Sequence, residues 1–244
     1  MNREPRMFEH VDVDLGYKDL DTTMNEDGRR YVLPQGGNYP SITTVLSILS
    51  EKGIAMWRKR VGDEEADKIS FRASQRGTAV HELIEKYIDN DPKYTKGYMP
   101  NIHADFLKVK DILDTRIGKV YLQEAPLYSD HLKVAGRVDC VAEFDGKLSI
   151  IDFKTSRKTK QKAHIKQYFQ QETAYAIMWE ERTGMPITQL VTIIAVDEGD
   201  AQVFVEHRDD WYPKLQETID SYYEREDKRS ARRSREDAVL PLTL

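Results

Sequence analysis

The sequence predicts an α+β (α/β) fold, a central mixed β-sheet flanked by helices with a helical N-terminal region ahead of it. Three observations carry this. In GTAVHELIEKYIDN, residues Val80, Leu83, Ile84, Tyr87 and Ile88 recur at helical spacing. Further on, Asp145-Gly146 separates two apolar, β-branched runs, the signature of a tight hairpin. A long amphipathic stretch, 162–183, then divides that hairpin from two more strands. Helices followed by strands, a helix and further strands indicate a mixed sheet with helices against it.

Each element has its own signals. Residues 1–40 are polar with scattered Gly and Pro and read as a loosely structured arm, with room for a small hairpin near GRRYVLPQGG. PSITTVLSILSEKG predicts a short helix capped by Ser41 or Thr43 and ending near Gly53. Residues 54–60 and 63–73 continue as helices, and Gly77 opens the next. Pro92 and Pro100 bracket a loop before a helix over 101–117 and a strand over 119–129. Gly184 ends the 162–183 helix, strands follow over 190–196 and 201–207, and a last helix spans 211–229. The chain thus divides into the arm (1–40), a helical region (41–118), a strand-rich core (119–229) and a charged tail (230–244) expected to fray.

The hairpin poses a chemical question. If Asp145 and Gly146 form its turn, Phe144 faces Lys147, and counting back sets Asp139 opposite Asp152 and Arg137 opposite Lys154. All four then share one face, with Val141 and Ile150 next along it, while Cys140 points to the other. Two carboxylates about 5 Å apart destabilise a sheet. A divalent cation resolves the conflict, because hard carboxylate oxygens suit magnesium or manganese.

Composition narrows the possibilities. The chain has 244 residues, 39% of them hydrophobic, enough for one substantial core. Its single cysteine excludes an internal disulfide and a four-cysteine zinc or iron–sulfur site. No apolar run approaches the roughly 20 residues of a membrane span, so no membrane partner is expected. MNREPRMFEHVDVD lacks the apolar stretch of a signal peptide, and the single cysteine fits a reducing cytosol. The net charge is −5, yet KTSRKTKQKAHIK, residues 154–166, holds no acid, and WRKR forms a second basic cluster at 57–60.

Metal-dependent phosphodiester hydrolysis needs carboxylates for a cation and a positive group beside the reacting phosphate. Asp139, Asp152 and Lys154 supply these, and Asp-x-Lys puts carboxylate and ammonium on one side of a strand.

GRVD, IIDFKTS and QETAY, in that order, resemble the PD-(D/E)XK nuclease superfamily. RGTAVHELIEKY and LQEAPLY resemble the histidine and glutamate motifs of its RecB-like exonuclease branch. Within that branch the likeness is to the mitochondrial genome maintenance exonuclease group and its phage relatives. The resemblance covers 41–175 and implies a restriction-endonuclease-like core over 119–229. It implies that His81, Asp139 and Asp152 bind the metal with the backbone carbonyl of Phe153. Lys154 would be the catalytic lysine, and Glu124 would orient water or serve a second metal position. Gln171 and Tyr175 would contact DNA or brace the site.

Arg137, Arg76, Arg157 and Lys158 are candidate phosphate contacts, as is Arg72, and Trp57 and Tyr87 are candidate stacking platforms. Each has a plainer reading: His81 as a partner of Glu85, Glu124 as an exposed strand charge, Gln171 and Tyr175 as helix surface and core.

The function implied is a magnesium- or manganese-dependent exonuclease without an iron–sulfur cluster, acting on DNA that is single-stranded or has single-stranded ends. Its expected setting is repair or recombination in a bacterial or phage-infected cytoplasm, with a replication or recombination protein as partner. A structure-selective endonuclease with the same site and a non-catalytic DNA-binding module are the alternatives.

Overall fold

The computed structural model of the chain describes residues 6–239. Its first part is a small antiparallel sheet of β1 (Thr22–Asn25), β2 (Gly28–Val32) and β3 (Asn38–Pro40). The arm is therefore not loose. Phe8, Leu20, Tyr31 and Leu33 are buried, and Leu20, Tyr31 and Leu33 pack with Tyr128 and Ala135 of the main sheet. Tyr31 and Leu33 lie at strand spacing in the segment where a small hairpin was expected, and β2 pairs with β3 there, but Phe8 and Leu20 stand too far off in the chain for a local pattern to show.

Helix α1 (Ile42–Ser47) starts where the Ser41 side chain accepts the Thr44 N–H. Gly53 does not end it but lies inside α2 (Glu51–Val61). Nor does Gly77 open a helix. Helix α3 runs unbroken over Asp63–Ile88, and Gly77 sits where a methyl group would come 3.6 Å from Thr155 Oγ1. That is an ordinary van der Waals distance, so the helix has room for a side chain at this position. Helix α4 (Pro100–Arg116) leads into β4 (Ile117–Ser129), β5 (Val134–Phe144) and β6 (Lys147–Ser156).

A 3₁₀ turn at Lys162–His164 precedes α5 (Lys166–Thr183), which Gly184 ends in left-handed conformation. Strands β7 (Gln189–Val196) and β8 (Gln202–His207) complete a five-stranded sheet in the order β4-β5-β6-β7-β8. Among the named strands of the described residues, β6 and β7 form the one parallel pair, and α5 lies between them in the chain. The last helix, α6 (Arg208–Val239), is longer than its sequence suggests. Arg229 and Arg233 reach Asp27 at 3.3 and 3.2 Å in the β1–β2 turn, so the basic stretch is tied down rather than frayed. Residues 240–244 of the expected tail lie outside the described residues.

Both sheet faces are covered. Cys140, Ala142, Ile151 and Phe153 meet Val80, Leu83, Tyr87 and Phe106 from α3 and α4. Val138, Val141, Ile150 and Leu190 meet Ile42, Tyr175, Trp179 and Leu215 from α1, α5 and α6. That explains the nearly continuous apolar runs of β6 and β7. Among the described residues, no helix is long and apolar enough to cross a membrane.

Candidate metal and phosphodiester site

The site begins where the central hairpin forks. Asp145 and Gly146 both take positive φ, 51° and 76°, as a two-residue turn of this hand requires. Pairing then follows the expected register from Phe144↔Lys147 to Cys140↔Ile151, and there it stops. Beyond that pair, β5 stays with β4 through Ser129↔Val134, and β6 stays with β7 through Ser156↔Val196. Asp139 and Asp152 therefore do not form the next rung, and Arg137 pairs with Pro126 instead of facing Lys154. In place of the rung, the Phe153 N–H donates to Asp139 Oδ2 at 2.9 Å.

Asp152 is 1% exposed. The Lys154 ammonium lies against its Oδ2 as an ion pair, yet neither carboxylate oxygen receives a well-directed hydrogen bond. Burial pushes the Asp152 carboxyl up to about 6; Lys154 counters this and Asp139 adds to it. Burial alone would lower Lys154, but the charges of Asp152 and Asp139 outweigh it and hold the ammonium protonated well above its ordinary range. The Lys154 Nζ also lies 5.3 Å over the ring of Tyr168.

Helix α3 brings His81 to the same fork. Its Nδ1 is 3.5 Å from Asp139 Oδ2, and its ring meets that of Phe153 edge-on. Glu124 arrives from β4. The pairs Gln123↔Cys140 and Ala125↔Val138 bracket it opposite Asp139, and its φ of 43° is left-handed, unusual for a strand residue with a side chain. Arg137 steadies it by donating to the Glu124 carbonyl and, at 2.6 Å, to Asp19. Burial first, then Asp139 and Glu85, push the Glu124 carboxyl up to about 7.

One donor atom each from His81, Glu124 and Asp139 lies within 4.8 Å of the others. An imidazole and two carboxylates, one of them destabilised as an anion, suit a hard divalent cation. Asp152, in its ion pair with Lys154, lies outside this group of three. Arg29, Gly77, Thr78, Glu82, Glu85 and Arg137 complete the walls of a cleft of about 370 Å³ around the three.

The remaining candidates are placed as follows. Gln171 donates to the Tyr175 hydroxyl at 3.4 Å, and Tyr175 is buried in the core. Its ring crosses Gly136 so closely that an added Cβ would lie 2.8 Å from Cε1. Arg76 is engaged by the buried Asp105 at 2.6 Å and ties α3 to α4. Arg157 pairs with Glu198 on the surface at 2.6 Å, and Lys158 and Arg72 are exposed. Tyr87 is no stacking platform; it is buried between Phe8, Tyr94 and Phe106. Trp57 is half-buried on α2.

Three contributors escaped the motif reading. Glu172 is fully buried, accepts from the Thr192 hydroxyl and leaves Oε2 without a partner. Burial, reinforced by Asp152, holds its carboxyl well above the usual range. Its position three residues from both Phe169 and Tyr175, on an apolar stripe, was the available signal. Tyr168 and Arg29 had none.

The profile of the PD-(D/E)XK nuclease superfamily matches residues 101–238, and the chain belongs to that superfamily, whose members use divalent metals. Glu124, Asp139, Asp152, Lys154, Gln171 and Tyr175 fall inside the match, and His81 precedes it. The chain is 28% identical over 134 residues to mitochondrial genome maintenance exonuclease 1 of Mus musculus, covering 52% of this chain and 39% of that protein. For the Homo sapiens protein of that name the identity is 25% over 129 residues, covering 50% and 38%. For the Xenopus tropicalis protein it is 28% over 139 residues, covering 51% and 38%. The matches span about two fifths of these relatives' own length.

Proposed function

We propose that this protein is a magnesium- or manganese-dependent deoxyribonuclease, an exonuclease acting on DNA that is single-stranded or has single-stranded ends. The observation that carries the reading is the convergence of His81, Glu124 and Asp139 in one cleft, beside a lysine paired to a buried aspartate. The exonuclease part rests on the names of the relatives. A setting in repair or recombination, in a bacterial or phage-infected cytoplasm with a replication or recombination partner, belongs to the same reading.

Each residue has a role that its surroundings permit. His81, Glu124 and Asp139 hold the cation, and Asp152 and the Phe153 carbonyl complete the ligand set expected from the family. When bound, the cation polarises the phosphate and lowers the pKa of a water. Lys154 stays protonated, because two carboxylates face it, and stabilises the charge that develops on the phosphate oxygens. Gln171 and Tyr175 brace β5 against α5. Arg137 sets the Glu124 backbone and Arg76 sets α3. Arg157 and Lys158, exposed just past Lys154 along the chain, take the phosphates of the incoming strand.

The test uses the purified chain with magnesium or manganese. Its substrates are linear single-stranded DNA labelled at either end, circular single-stranded DNA, and linear duplex. Degraded linear strands, spared circles and an inactive Lys154→Ala variant support the exonuclease reading, and the end lost first gives the polarity. Cleaved circles establish the endonuclease alternative. Binding without cleavage in either metal establishes the binding module.

A further inference from the structure

The carboxylate cleft borders a second, larger one. This neighbour, about 480 Å³, lies between the β1–β2 hairpin, α1 and α6. Arg29 lines both clefts. Its backbone is fixed on the α1 side: its carbonyl accepts the Ser41 N–H at 2.8 Å, and its N–H donates to Thr44 Oγ1 at 3.2 Å. Gly28 before it has φ +114° and sits so close to Thr44 that an added Cβ would lie 2.6 Å from Cγ2. On the other side, the hairpin turn is tied to α6 through Arg229 and Arg233. The hairpin is clamped from two directions, and it presents Arg29 at the border of the clefts.

Charge and hydrogen bonding single out what this space lacks. The four acids lining the second cleft are each met by an arginine: Glu26 by Arg233 at 2.9 Å, Asp27 by Arg229 at 3.3 Å, Glu51 by Arg225 at 3.0 Å and Glu226 by Arg30 at 2.5 Å. The exposed side chain of Arg29 has no hydrogen bond or ion pair among the described residues. Tyr222 also lines the cleft; it is 6% exposed, and its buried hydroxyl has no partner among the described residues. An unmatched cation and an unmatched hydroxyl on one space fit a ligand that supplies anionic and neutral oxygens. A volume in the range of about 300–1,000 Å³ is that of a small-ligand site.

We propose that a nucleic-acid strand held in the carboxylate cleft continues over Arg29 into this second cleft, which takes the adjoining nucleotide. Arg29 binds its phosphate, and the Tyr222 hydroxyl donates to a phosphate or sugar oxygen. The assignment rests on the nuclease reading and adds the path of the strand beside the site.

The test measures binding of a short fluorescein-labelled single-stranded oligonucleotide across a salt series, in the full chain carrying Lys154→Ala so that the probe survives. Arg29→Gln, Arg29→Lys, Tyr222→Phe and Ser47→Trp are added singly, the last to fill the cleft from an exposed position on α1. Wild-type cleavage of the same oligonucleotide and melting curves of every variant are recorded alongside. Arg29→Gln is expected to weaken binding roughly tenfold. It also lowers the slope of log K against log salt by about 0.7, the loss of one phosphate contact on a single strand. Arg29→Lys restores the slope, and Ser47→Trp weakens binding at an unchanged melting temperature.

If wild type cleaves DNA while Arg29→Gln binds within twofold of its parent and with its salt slope, the inference falls and the nuclease reading stands. If wild type neither binds nor cleaves DNA, both fall.

Discussion

Asp139 accepts the backbone N–H of Phe153 at 2.9 Å, and this hydrogen bond joins two strands at the point where their ladder has ended. One carboxylate thus closes the fork and supplies a donor atom to the group with His81 and Glu124.

The two duties separate by mutation. Asp139→Ala leaves the Phe153 N–H unpaired in a partly buried place, which costs about 1–3 kcal/mol. Asp139→Asn keeps an acceptor but loses the charge that holds a cation. Denaturant unfolding in EDTA is expected to rank Asp139→Ala below Asp139→Asn by about that amount. Calorimetric titration with magnesium should show weakened binding in both, and cleavage should be lost in both.

Glu124 is strained for the site. A side-chain-bearing residue at φ 43° costs about 1–3 kcal/mol, and glycine removes the strain at an entropic cost of about 0.5–1 kcal/mol. Glu124→Gly is therefore expected to stabilise the metal-free protein by about 1 kcal/mol while cutting activity. A rise in denaturation midpoint together with a fall in cleavage rate is the outcome to look for.

Gly136 is required by its neighbour. A methyl group there meets Tyr175 Cε1 at 2.8 Å and Ile42 Cγ2 at 3.1 Å, both in a packed core. Gly136→Ala should cost about 1–3 kcal/mol, read as a lowered midpoint at unchanged m-value.

The stability of the metal-free protein should depend on pH through Glu124 and Asp152. Both folded-state values lie above their ordinary ones, about 7 against 4.5 and about 6 against 3.8. Between those limits the folded chain keeps protons that the unfolded chain has released, so stability falls as pH rises from about 4 to about 7. Melting in EDTA at pH 5 and pH 8 should show the fall, and Glu124→Gln should reduce it. Magnesium should raise the melting temperature more at pH 8, where the carboxylates it meets are ionised.

Much of the frame was legible because it rests on local rules. The Asp145-Gly146 turn set the hairpin register, Ser41 capped α1, and Gly184 stopped α5. Where the reading erred, distant contacts decided. Gly77 looked like a helix boundary, but α3 runs through it, packed by Val80, Leu83 and Tyr87 against the sheet. The basic end of α6 looked like a fraying tail, but Asp27, some 200 positions earlier, holds it. Asp139 and Asp152 were expected face to face because extrapolating a register assumes that the ladder continues. Each strand instead keeps a different outer neighbour.

By itself, then, the sequence determined which side chains share a strand face and which sit one helical turn apart, since those periods are properties of the backbone. It thereby determined the Asp-x-Lys spacing and the Gln171–Tyr175 pair. Only the tertiary structure decided which acids meet. It set Glu124 with His81 and Asp139, turned Asp152 to Lys154, and buried Glu172 below them. Those groupings depend on sheet order and on where two strands part, and both are set by packing between segments far apart in the chain.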